Sequence, residues 1–374
     1  PRQRGFGLDK KYSPELSIMK LSLPELWSSL AEADLVSGTV AVEEESESPW
    51  YISLLMAFFG WLSAVFLIGF IAVGFSSILD SFAACITVGS ALIVIAYLLF
   101  KAGKKEFLEY FALSISLVGQ MLITYGIFDS NYDNSVAFWL SAAVIQMTLA
   151  VAMPSNVHQI LSASFSGIAF SIALYLGGAQ SLVNVSLMWT LCWLWLHEFQ
   201  FLKVMSKMRC MGYGLVITLV VFKGFHVFES AQFLWGYRSG MDVWVPLWIG
   251  QILTGLAFLY VVWHLLNARF EKLNPSLLIA VLSTVGLIIA ASFQASGIMV
   301  GMVILLLGFS ASNRILMSLG SVSLIFYISD YYYLLDTTLL MKSATLLLVG
   351  LILLGSRYCL NRFSPFVNEV PGAN

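Results

Sequence analysis

From residue 50 to residue 360 the chain is a succession of apolar runs joined by short polar connections. Each run is about 18–24 residues long, which is what crosses ~30 Å of hydrocarbon at ~1.5 Å per residue. The runs lie near 51–74, 81–100, 106–128, 136–153, 159–178, 182–199, 212–230, 243–266, 275–293, 296–312, 315–335 and 337–360. Lipid offers no partner to a free backbone N–H or C=O, so each run must close its hydrogen bonds internally as a helix. The expected fold is therefore all-α, a polytopic transmembrane bundle of about twelve spans. Connections between the last four runs are so short that ten or eleven spans stay open.

Composition supports this and excludes other classes. The chain is 59% hydrophobic and only 11% charged, against about 45–50% and about 25% for soluble domains. A net charge of -2 gives no electrostatic footprint for nucleic acid, and none is expected as a partner. The four cysteines (Cys85, Cys192, Cys210, Cys359) are scattered, without Cys-x-x-Cys or Cys/His ligand spacing. They read as small apolar fillers rather than disulfides or a zinc site.

Basic residues set the orientation. With twelve spans and the N-terminus inside, 16 of the 19 Lys and Arg residues fall on the cytoplasmic side. Arg238 falls outside, and Lys223 and Lys342 fall within spans. One span more or fewer would invert every later loop and spoil that asymmetry, so both termini are expected in the cytoplasm. Residues 1–48 then form a polar cytoplasmic segment carrying a short amphipathic helix in Leu21–Val36, opened by Pro24. The first apolar run is expected to act as an uncleaved start of insertion. Residues 49–362 form the membrane domain and 363–374 a cytoplasmic tail.

Ionisable groups inside apolar spans are costly and mark candidate sites. Lys223, His226 and Glu229 recur at one-turn spacing, on one helix face. The stretch Tyr327–Ser343 (YISDYYYLLDTTLLMKS) adds Asp330, Asp336 and Lys342 in the same half of the membrane. These six residues form a candidate polar path. The alternatives are polar glue between helices, with Lys223 snorkelling, and ordinary turn chemistry, with Asp336 capping the last span. His158 and His264 lie near span ends on the cytoplasmic side, and His197 with His264 is the only histidine pair of matching depth. No haem, metal or other cofactor is expected. Trp189 and Trp193, one turn apart, should pack on a neighbouring helix; Gln120, Gln146 and Gln251 should hydrogen-bond between helices. Gly297, Gly301 and Gly308 offer a small-residue face for close packing. His-x-x-x-His, Gly-x-Ser-x-Gly and P-loop patterns are missing from the sequence, which gives hydrolase and nucleotide-driven readings no support.

Three segments carry a family resemblance: Pro49–Tyr51 (PWY) with the apolar run after it, Tyr331–Tyr333, and Thr338–Ser343 (TLLMKS). Together they resemble a bacterial inner-membrane family known only as a domain of unknown function, over the whole chain. The resemblance implies a bacterial inner (cytoplasmic) membrane location. It also implies genetic company with a second multi-span protein and with small anchored proteins bearing a GDYxxLxxT motif. It supplies no activity and no site residue. The resulting expectation is a non-enzymatic subunit of a membrane complex, in contact with the bilayer and with a membrane-protein partner or a second copy. A role in passing a small solute or protons stays open. So do a sensor or scaffold whose polar head docks a cytoplasmic partner, and an intramembrane enzyme acting on a lipid-borne substrate.

Overall fold

A computed structural model describes Trp27 and residues 50–74, 76–102, 106–130, 135–201, 204–225, 245–269, 275–292 and 296–334. It also describes 339–340, 343–344, 347–348, 350–351, 354–355 and 358. The chain divides into two compact units, Pro1–Leu55 and Met56–Asn374. In the first, Trp27 and residues 50–55 are helical.

Every described element is helical. In order they are α1 (Trp50–Gly74), α2 (Ser76–Leu79), α3 (Phe82–Ala102), α4 (Glu106–Ser130), α5 (Ser135–Ala152) and α6 (Asn156–Leu176). Then come α7 (Ser181–Leu196), a 3₁₀ turn (Glu198–Gln200), α8 (Met205–Phe225), α9 (Leu247–Arg269), α10 (Pro275–Ser292), α11 (Ser296–Ser310) and α12 (Arg314–Leu334). Among the described residues, six helical stretches are long and apolar enough to cross a membrane: Phe82–Ala102, Leu108–Asp129, Ser135–Ala152, Asn156–Leu176, Met205–Phe222 and Trp248–Ala268. Their outward surfaces are aliphatic and aromatic, as lipid requires: Val94, Val144, Phe165 and Leu256 are all exposed.

One helix boundary departs from the sequence expectation. α8 starts at Met205 rather than near residue 212, so Lys207 and Arg209 ride on the helix instead of preceding it. Nothing in Met205–Met211 breaks a helix, and both basic side chains find oxygen partners from there. Lys207 donates to the Val151 carbonyl at 2.8 Å, and Arg209 pairs with Glu198.

The helices assemble as tight neighbours. α3 packs on α4, α5 on α6, α11 on α12, α6 on α8, and α7 on α9. Small residues let these backbones approach, because between apolar helices in lipid it is close packing rather than water exclusion that binds them. A Cβ on Gly89 would lie 2.7 Å from the Gly119 carbonyl, and one on Gly119 equally close to that of Gly89. The expected glycine face of α11 is used in this way: Gly297 faces the Tyr327 ring, Gly301 faces Leu324 and Gly308 meets the backbone of Met317. A shared core of Leu187, Met188, Leu191, Leu219, Ile304 and Leu307 fills the space among α7, α8 and α11.

The tightest approach is at Gly250 on α9, where an added Cβ would lie 2.3 Å from the Ser181 carbonyl oxygen. Backbone cannot swing aside as a side chain can, so Gly250→Ala should lower stability by roughly 1–3 kcal/mol, the usual cost of overpacking. Gly286→Ala on α10, where a Cβ meets nothing within 4 Å, should be neutral or stabilising through helix propensity. Thermal unfolding of the two variants in detergent checks the contrast; equal midpoints would refute it.

Candidate functional site

The most polar part of the described interior lies where α4, α5 and α6 meet. Pro154 and Ser155 end the α5–α6 connection, and Ser155 opens α6 as its N-cap, accepting from the His158 N–H. The same hydroxyl donates to Glu109 Oε1 at 2.6 Å, tying the start of α6 to the start of α4. From this cap a stripe of polar side chains climbs one face of α6: Ser155, His158, Ser162 and Ser166, at spacings of three and four residues. All four are buried.

His158 is the centre of the stripe, 1% exposed. Its Nε2 lies 2.7 Å from Ser116 Oγ and 3.0 Å from Gln120 Nε2, both on α4, while Nδ1 lies 3.2 Å from Ser162 Oγ on its own helix. Phe100 of α3 closes the site with its ring edge-on, 5.9 Å between centroids. Gln146 Nε2 on α5 donates to Gln120 Oε1 at 3.0 Å, which leaves the Gln120 amide nitrogen as a donor to Ser116 and to His158 Nε2. With the amides oriented so, Nε2 accepts and Nδ1–H donates to Ser162, the arrangement of a neutral imidazole. Thr124 and Ser166 finish on backbone carbonyls, of Gln120 at 2.7 Å and of Ala143 at 2.8 Å. Gln146 Oε1 is buried with no hydrogen-bond partner among the described residues, as is Gln159 Oε1 one turn nearer the connection. From Glu109 to Gln120 the network covers about 16 Å along α4, roughly half the hydrocarbon thickness.

A second polar node lies at the other side of α8. Glu198, in the turn after α7, is 1% exposed and pairs through Oε1 with Arg209; its Oε2 has no partner among the described residues, and neither has Trp195 Nε1. Trp195 packs edge-on against Tyr213, 5.5 Å between centroids, and the Tyr213 hydroxyl accepts from Asn313 Nδ2 at 2.7 Å. Asn313 also caps α12, its Oδ1 accepting from the N–H groups of Ile315 and Leu316 at 3.1 Å.

Of the six residues proposed from sequence as a polar path, Lys223 lies in the last turn of α8 and Asp330 in the last turn of α12. His226, Glu229, Asp336 and Lys342 lie outside the described residues. The two helices touch through Asn313 with Tyr213 and, farther along both, through the Tyr327 hydroxyl, which donates to the Leu219 carbonyl at 3.3 Å. Both contacts advance in the same chain direction, so α8 and α12 run parallel. Trp189 behaves as expected, stacking on Tyr260 of α9 at 5.5 Å, and Gln120 and Gln146 join two helices.

The sequence reading placed His158 near a span end and assigned it no role. A helical wheel over residues 155–166 carries the missing signal, since only that face gathers Ser155, His158, Ser162 and Ser166.

A family model described as a domain of unknown function, DUF4401, matches residues 49–363. No curated protein and no solved structure matches the chain.

Removing one member of the Glu198–Arg209 pair should strand a buried charge. Arg209→Met should therefore lower stability by a few kcal/mol, below the roughly 3–5 kcal/mol of a fully buried pair because Arg209 is 38% exposed. The double variant Arg209→Met/Glu198→Gln should recover part of that loss. Thermal unfolding of both in detergent decides; a double variant no more stable than the single would show that the pair carries little.

Proposed function

The chain belongs to the DUF4401 family, and we propose that it is a non-enzymatic membrane protein, acting within a membrane complex, that moves protons through the His158 stripe. One observation carries the reading: an imidazole buried inside a bundle of apolar helices with a hydroxyl on each ring nitrogen, Ser116 at Nε2 and Ser162 at Nδ1. An imidazole so placed can take a proton on Nε2 from one side and release the Nδ1 proton to the other. The charge it carries in between is offset by the polar groups of Ser116, Gln120 and Ser162. Return to the starting tautomer needs a ring flip or a proton passing back.

Glu109 and Ser155 form the mouth of this path. A carboxylate receiving a serine hydroxyl at 2.6 Å can exchange protons with water at the start of α4. His158 meets Ser155 only through its backbone N–H, at 3.5 Å, so a water molecule must bridge Ser155 and the ring. Gln120 and Gln146 orient the imidazole rather than conduct, because an amide does not pass a proton by rotation. Twelve spans with both termini in the cytoplasm would put this mouth on the cytoplasmic side.

The proton reading is tested in liposomes with a trapped pH-sensitive dye and an imposed potassium diffusion potential. The wild type should acidify or alkalise the lumen faster than empty liposomes, and His158→Gln, which keeps hydrogen-bonding capacity, should abolish the excess. Equal rates in wild type and variant, or no excess in the wild type, would overturn it.

A further inference from the structure

Away from the His158 stripe, the ends of α7 and α9 bring two imidazoles close together. His197 follows the last residue of α7 and His264 lies near the end of α9, with ring centroids 6.2 Å apart and planes inclined by 38°. Both rings are part-exposed, and an aromatic row steadies them. Trp193 stacks on His197 at 5.7 Å, Tyr260 packs against His264 at 6.1 Å, and Trp189 stacks on Tyr260 at 5.5 Å. Trp189 is held in turn by its Nε1 donating to the Leu253 carbonyl of α9 at 3.3 Å.

We propose that His197 and His264 form a binding site for a divalent transition-metal ion of the imidazole-preferring class, zinc, copper or nickel. Three features lead there. First, His197 Nδ1 lies 3.0 Å from the Trp193 carbonyl, so that nitrogen carries the proton and donates, leaving Nε2 with a free lone pair. A backbone carbonyl on the far nitrogen is how a ligating histidine is commonly oriented. Second, the spacing suits a shared ion: metal–nitrogen bonds of about 2.0–2.1 Å, with ~1 Å more to each ring centre, put two widely splayed imidazoles roughly 6 Å apart. Third, His264 makes only ring contacts among the described residues, so its nitrogens are available.

The neighbouring carboxylate does not join in. Glu198 is turned into the protein and occupied by Arg209, and among the described residues no third histidine, cysteine or carboxylate completes a group of three. Water would fill the remaining positions. The set of two nitrogens plus water selects imidazole-preferring metals over calcium or magnesium, which take oxygen ligands. The ion would link the ends of α7 and α9 at the membrane surface.

The test uses the full chain, purified without a polyhistidine tag, and Cu²⁺ as the probe. Electron paramagnetic resonance of the wild type at one equivalent should show copper bound through two imidazole nitrogens. His197→Gln and His264→Gln should each lose that signal and weaken binding by more than the roughly 10–100-fold that follows loss of an outer-sphere partner. Elution as a single species and an unchanged helical circular dichroism spectrum identify variants that fold. A wild-type spectrum of free copper, or of copper on one nitrogen, overturns the proposal whatever the variants do. So does a two-nitrogen spectrum that survives in either folded variant.

Discussion

Inside a bilayer a polar group has nowhere to turn but to the protein, and the described structure is organised around that constraint. The backbone meets it by becoming helix throughout. Side chains meet it in two ways. Many serines and threonines fold their hydroxyls back onto a carbonyl one turn earlier in their own helix, as Thr87, Thr148, Ser171 and Thr254 do at 2.7–2.8 Å. Gln120, Gln146 and the His158 imidazole reach across helices and meet in one place. The Ser116, Gln120, Gln146, His158 and Ser162 cluster joins three helices because each member supplies what another lacks.

Close approach of the helices makes that cluster attainable. On α6, Gly167 lies against Thr218 of α8, and Gly214 of α8 against Ala163 of α6, each with room for a hydrogen atom where any other residue carries a Cβ. Thr218 uses the same proximity to donate to the Ser164 carbonyl at 3.1 Å. With its outer face held so tightly to α8, α6 presents the opposite stripe to α4 and α5. Packing and polarity are thus divided between two faces of one helix. A helix that is weakly amphipathic within an apolar bundle is an interior helix whose polar side has a defined neighbour.

Much of this was legible in the sequence. Apolar run length locates the described helices, because bilayer thickness fixes how many residues a span needs. The glycine spacing of Gly297, Gly301 and Gly308 announces a close-packing face on α11, which α12 occupies. Two features were hidden. Lys207 and Arg209 look like loop residues by charge, yet α8 includes them because Val151 and Glu198 supply oxygens that only the fold brings near. His158 looks peripheral by its distance from the run's centre. Its importance comes from Ser116 and Gln120, some forty residues away, and no periodicity within α6 identifies those partners. Lys223 and Asp330, conspicuous by charge, lie near the ends of α8 and α12. The neutral residues, inconspicuous in composition, build the more connected site.

The proton path turns on the state of one ring. Nitrogen-15 magnetic resonance of the protein in lipid bilayers, labelled at histidine and assigned with His158→Gln, reads which His158 nitrogen holds a proton at neutral pH. The hydrogen-bond pattern predicts a neutral ring with Nδ1 protonated towards Ser162 and Nε2 unprotonated beside Ser116 and Gln120. A ring protonated on Nε2 alone, or a fixed imidazolium, would contradict the arrangement from which the proton path is argued.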